Sequence, residues 1–181
     1  MAVVPTTGTL RLVVAQAVAA IALGLLGASG VVKLIDPDPT TGAMGTAGLP
    51  SSNTISRLLG IIEAVVAVTA LAAGGAAVFV AAILYTAFAV FTTSALLRAL
   101  PIQSCGCFGR EDTPPTVFHV TYNLASALAL TALPIMGIDP IVWTLAPLEL
   151  FLYLGFAAIG VCASYLLLTA LPKLLEVARN P

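Results

Sequence analysis

The sequence predicts an all-α fold: a polytopic membrane helical bundle of about five transmembrane helices. Composition is the first reason. Of 181 residues, 60% are hydrophobic and 8% charged, with a mean hydropathy of +1.09, more apolar surface than a soluble domain can bury. Length is the second, because runs near twenty apolar residues recur and each reaches across a hydrocarbon core of roughly 30 Å. The third is chemical. Lipid offers backbone N–H and C=O groups no water, so such runs cross as helices.

The spans follow in order, and together they make one membrane domain over residues 1–181. The first runs from about Thr9 to Ile35. Its Arg11 end and Ala28-Ser29-Gly30 resemble a cleavable signal peptide, but the apolar run continues through Val31 and Val32, longer than a usual signal core, so a retained helix is expected. The stretch from Asp36 to Asn53 is rich in Pro, Gly, Thr and Ser and reads as a solvated connector. The second span covers about Thr54 to Ala73, and Gly74-Gly75 turns it into the third, about Ala76 to Leu100. The fourth runs from about Thr116 to Ile135, and Pro134, Gly137 and Pro140 break the chain before the fifth, about Leu148 to Leu171. Small residues recur at helical spacing, as in Ala20, Gly24 and Ala28 or Ala77 and Ala81, a pattern that lets helices approach closely in lipid.

Charge excludes one class of partner and raises a question of sidedness. A formal net charge of −1 leaves no basic stripe for nucleic acid. With five spans, Lys33, Arg57, Arg98, Arg110, Lys173 and Arg179 share one face, together with Asp36, Asp38, Glu111, Asp112 and Glu176; the other face holds little beyond Arg11, Asp139 and Glu149. The positive-inside rule would put the richer face in the cytoplasm. Alternatively, several of these charges surround a site and do not report insertion.

That face carries Cys105-Gly106-Cys107-Phe108-Gly109. A disulfide across three residues closes a tight ring, and Gly106 removes the side chain that would resist the bend. Labile disulfides of this kind serve exchange, and no long loop is closed that a staple would stabilise, so redox chemistry is preferred over a structural disulfide or two unpaired thiols. Cys162, in the fifth span, reads as a buried small hydrophobe.

Five polar residues are candidate supports. Lys33 and Arg98 lie at helix ends on the thiol face, where a cation favours thiolate, although each also fits a snorkelling side chain. Glu63 lies inside the second span, where an ionisable group is costly and needs a partner; Lys33 is the expected one. A protonated, hydrogen-bonding Glu63 is the alternative. His119 and Asn123 are one helical turn apart, with His119 a possible thiol base or a merely hydrogen-bonded residue, and Asn123 a substrate-orienting or capping group.

Ser29-Gly30-Val31-Val32-Lys33-Leu34-Ile35-Asp36-Pro37, Ile62-Glu63 and Cys105-Gly106-Cys107-Phe108-Gly109 followed by Asn123 together resemble the MauE (methylamine utilisation protein E) family, related to DoxX-like redox-associated membrane proteins. The resemblance covers about Leu10 to Ala132. It implies a multi-pass inner-membrane protein working beside a thioredoxin-like partner, with Cys105 and Cys107 as the redox pair and Lys33, Glu63 and Asn123 at recurring polar positions. In the methylamine system it implies maturation of the disulfide-rich small subunit of methylamine dehydrogenase. An arginine common in the family before the asparagine is replaced here by Tyr122.

The leading expectation is therefore a membrane thiol–disulfide exchange protein, a possible thiol–disulfide oxidoreductase, acting on an extracytoplasmic disulfide-containing client. Its electrons go to a second protein or to a membrane quinone, the latter by analogy with other four-helix disulfide-forming membrane enzymes. Copper(I) binding or transport through Cys105, Cys107, Met44 and His119 is the second reading, and a non-catalytic assembly scaffold the third. Because the cytosol keeps thiols reduced, and because the resemblance implies an extracytoplasmic partner, the thiol loop is expected to face outward, with the amino terminus inside and the carboxyl terminus outside.

Overall fold

The computed structural model describes residues 7–107, 113–137 and 145–179. Phe108 to Asp112, Asp139 and Pro140 therefore lie outside the described residues, as do the side chains of Arg11, Glu176 and Arg179. Among the described residues the fold is made of six helices: α1 (Thr7–Ile35), α2 (Asp38–Thr46), α3 (Asn53–Ala73), α4 (Ala76–Leu97), α5 (Val117–Ile135) and α6 (Pro147–Arg179). All but α2 are long and apolar enough to cross a membrane, so the chain is a multi-pass helical membrane bundle.

Local chemistry explains most boundaries. Ser52 opens α3 by accepting the Ile55 N–H at 3.2 Å, and Thr116 opens α5 in a capping box with His119. Gly74 and Gly75, at φ +64° and +54°, make the tight reversal between α3 and α4. The expected third span stops at Leu97 rather than Leu100. There the Leu100 N–H bonds the Ala95 carbonyl and the Ala99 N–H bonds the Leu96 carbonyl, a Schellman closure with Ala99 at φ +46°. A left-handed alanine costs roughly 1 kcal/mol against glycine, and it ends the helix two residues before Pro101.

The fifth span runs past its expected end at Leu171, because Pro172 sits within α6 without ending it. Its missing N–H costs one backbone bond while the flanking turns keep theirs.

The connector expected between Asp36 and Asn53 is in part a helix. α2 starts behind Pro37, with Pro39 in its first turn, where proline's fixed φ suits a helix and its missing N–H is not needed. It docks on the start of α3, where Thr41 Oγ1 meets Ser56 Oγ at 2.7 Å and Asn53 Nδ2 donates to Asp38 at 2.9 Å.

The core lies between α1, α3, α4 and α5 and is built of Leu23, Leu26, Ala67, Ala70, Ala81, Tyr85 and Leu130. Small residues dominate because van der Waals packing, not water exclusion, joins helices in lipid. α1 packs tightly on α3. A Cβ added to Gly30 would lie 2.5 Å from the Gly60 carbonyl oxygen, and one added to Gly60 would lie 2.6 Å from that of Gly30. Gly24 in turn receives Val161 of α6, and Ile21 fills the space beside Gly160. α6 otherwise presents an exposed apolar surface, including Phe151, Ile159 and Leu166. Cys162 is on that exposed side, not buried as expected; α6 packs on the bundle along one narrow stripe, and Cys162 falls outside it.

Candidate functional site

The site is assembled at the thiol-loop end of the bundle. Gly30 and Gly60 each lie three residues before an ionisable group, so their contact brings the next helical turn of α1 against that of α3. There Lys33 Nζ donates to Glu63 Oε2 at 2.9 Å and to Ser29 Oγ at 2.5 Å. Lys33 is 2% exposed and Glu63 fully buried, so the pairing expected from the sequence exists, desolvated, inside the bundle. The ammonium also lies 5.7 Å from the centroid of the Phe88 ring. Glu63 Oε1 is buried with no hydrogen bond.

The thiols sit on a neighbouring wall. Cys105 Sγ and Cys107 Sγ are 3.5 Å apart, about 1.5 Å beyond a disulfide bond length. Gly106 makes this possible twice over: its φ is +78°, and a Cβ there would lie 2.7 Å from Thr40 Cα. Thr40, from α2, donates its hydroxyl to the Gly106 carbonyl at 2.5 Å. On the other side, the Cys105 N–H bonds the Thr113 carbonyl at 2.9 Å, and Thr113 Oγ1 donates to the Leu168 carbonyl of α6 at 3.1 Å. The loop is thus clamped between α2 and α6.

The two sulfurs differ in access. Cys105 is only 5% exposed and Cys107 half-buried. An open cleft of about 640 Å³ runs between α2 and residues 101–104, yet neither thiol lines it. Both instead line an apolar cavity of about 220 Å³ together with Lys33, Met44, Phe88 and Phe91. A much smaller void, about 20 Å³, joins Cys107 to Ser29, His119, Tyr122 and Asn123.

These placements sort the sequence candidates. Lys33, Glu63, Cys105, Cys107, His119 and Asn123 converge, with the ion pair and the thiols meeting around Phe88. Arg98 does not join them; it caps the end of α4 with its side chain exposed. His119 Nδ1 accepts the Thr116 N–H at 3.3 Å and lies 2.9 Å from Thr116 Oγ1, a capping arrangement that places the proton of a neutral ring on Nε2. That tautomer suits a donor better than a base. Asn123, one turn further along α5, is buried beside it.

Sequence reasoning missed Thr40, Ser29, Phe88 and the Gly30–Gly60 contact. Two had a sequence signal: Ser29 opens the quoted motif one turn before Lys33, and the glycines sit at matching offsets before Lys33 and Glu63. Among the described residues, no cluster of three His, Cys, Asp or Glu side chains could hold a metal ion.

Fold and site together define a class: a multi-pass helical membrane protein with a dithiol loop seated against an intramembrane ion pair. The family model of methylamine utilisation protein MauE matches residues 11–139, most of the chain and every candidate site residue named above. The chain belongs to the MauE family of methylamine-utilisation-associated membrane proteins. No curated protein and no solved structure matches it. The family match ends before α6, whose Leu168 nevertheless helps to hold the thiol loop.

Proposed function

We propose that this protein is a membrane thiol–disulfide exchange protein whose working pair is Cys105 and Cys107. The observation that carries the reading is the 3.5 Å approach of the two sulfurs on a loop bent by Gly106 and clamped by Thr40. A pair already this close needs only a small movement to close or open the S–S bond.

In the direction of disulfide formation, a thiolate of a thioredoxin-like partner attacks Cys107, the more accessible sulfur, and Cys105 leaves as thiolate. A second partner thiol then attacks the mixed disulfide. The partner departs oxidised and Cys105 and Cys107 remain as the dithiol, two electrons richer. The partner passes its disulfide to an extracytoplasmic client, a methylamine dehydrogenase-type subunit if the family's name describes this chain's own pathway. The thiol loop faces outward across the plasma (inner) membrane in this reading.

The test is the mixed disulfide. Cys105→Ser cannot form the Cys105–Cys107 bond, but in the reverse direction its Cys107 thiolate attacks the disulfide of the oxidised partner and no Cys105 is there to displace it. A partner-linked species should therefore accumulate through Cys107, seen as a reducible band on a gel. Exchange activity undiminished in a Cys105→Ser, Cys107→Ser double variant would favour a scaffold whose thiols are incidental.

One observation supports a second reading, copper(I) binding: Met44 lines the same cavity as both thiols, and thiolate and thioether are soft ligands. Copper(I) titration of the reduced protein separates the two, because only this reading expects stoichiometric binding that Met44→Leu weakens.

A further inference from the structure

We infer that the cavity lined by Cys105, Cys107, Lys33, Phe88 and Phe91 binds the ring of a membrane quinone, and that this quinone oxidises the thiol pair. The inference rests on the exchange reading above and supplies its missing electron acceptor.

The first argument is access. Both sulfurs line this cavity and neither lines the open cleft beyond α2, so an oxidant held within the bundle meets both members of the pair. Ala87, on the cavity wall, is exposed and lies roughly 15 Å down α4 from its Leu97 end at 1.5 Å per residue. Leu49, also exposed, borders the same space. The cavity therefore reaches the surface of a membrane-spanning helix at Ala87, where a lipid-soluble molecule can enter.

Size and lining are the second argument. A volume of about 220 Å³ lies below the range of about 300–1,000 Å³ usual for drug-sized ligands, and suits one substituted ring whose tail stays in lipid. Phe88 and Phe91 offer aromatic walls for that ring.

The third is a polar anchor. A lysine ammonium carries three donors, and Lys33 gives one to Ser29 and one to Glu63. The remaining N–H belongs to a side chain on the cavity wall and can meet a ring carbonyl. An acyl chain has no use for that donor or for two thiols.

The step balances without a further reagent. Cys105 and Cys107 lose two S–H bonds and gain one S–S bond. Their electron pair passes to the quinone, and the two protons end on its oxygens as a quinol.

The test uses the full-length protein, reduced and placed in lipid nanodiscs, with a short-tailed benzoquinone or naphthoquinone as probe. Quinone absorbance and thiol count are followed together, and oxidation by a small soluble disulfide is measured in parallel. One quinone should be reduced per two thiols lost, and Ala87→Trp, which narrows the cavity from its lipid side, should slow quinone reduction by roughly tenfold or more and slow the soluble disulfide far less. Oxidation by the soluble disulfide but by neither quinone would overturn the inference and leave the exchange reading standing. Quinone reduction at the same rate in Ala87→Trp would overturn the assigned cavity, and failure of every oxidant to act on the pair would overturn both readings.

Discussion

Gly30 and Gly60 touch backbone to backbone, and the ion pair follows from that contact. Each glycine precedes its charged residue by three positions, so bringing α1 and α3 to this distance sets Lys33 Nζ 2.9 Å from Glu63 Oε2 on the next turn. The same Lys33 lies beside Phe88 on the wall shared with the thiols. A packing decision near the thiol-loop ends of two apolar helices thus fixes the electrostatics of the site.

Enlarging Gly30 should therefore disturb the pair without touching either charge. Gly30→Val puts side-chain atoms against the Gly60 carbonyl, where a Cβ alone would already sit at 2.5 Å. Overpacking of this kind costs about 1–3 kcal/mol. Thermal unfolding in detergent should shift downward and exchange activity should fall, whereas Gly42→Ala, where a Cβ meets nothing within 4 Å, should change neither.

Removing one member of the pair should be worse than removing both. Glu63→Ala or Lys33→Ala leaves the other charge buried and uncompensated, a loss of about 3–5 kcal/mol. Folded yield by size-exclusion chromatography should drop for each. The double variant Lys33→Met, Glu63→Leu should recover yield, and if it does so without recovering exchange activity, the pair serves the chemistry as well as the fold.

The bundle was legible in the sequence because membrane spans are set by length and apolarity alone, and four of the five helices begin and end within a few residues of expectation. The Lys33–Glu63 pair was legible for a related reason: a buried carboxylate at that depth requires a partner, and Lys33 was the cation on the right face. α2 was not legible, since residues 38–46 combine proline, glycine and threonine with weak helix propensity, and only docking on Asn53 and Ser56 makes that turn count persist. Thr40 was hidden with it. The exposure of Cys162 depends on how α6 is rotated against α1, which periodicity in a uniformly apolar helix does not report.

Because Thr40 of α2 donates to the carbonyl of Gly106 in the thiol loop, Thr40→Val should loosen the cover while conserving volume. The Gly106 carbonyl loses its donor. Labelling of Cys105 by a water-soluble maleimide should speed up several-fold relative to the parent, with thermal stability reduced by about 1 kcal/mol. An unchanged labelling rate would mean α2 is held by its contacts with α3 and by the packing of Ala43 on Ala95 and Ile102.

Sidedness is open to direct measurement in intact cells. An impermeant thiol reagent should modify Cys107 without lysis and leave Cys162 unmodified, since the latter faces the lipid-spanning surface of α6. Labelling of Cys107 only after lysis would place the loop in the cytoplasm, as the Lys/Arg distribution alone would suggest.

The most direct test of exchange at this site is acid-quenched thiol trapping of the protein in its native membrane, with and without prior reduction, read by mass. The expected result is a difference of two thiols, lost together in Cys105→Ser or Cys107→Ser and retained in Cys162→Ser. No change on reduction and reoxidation, or a change that requires Cys162, would contradict a redox pair made of Cys105 and Cys107.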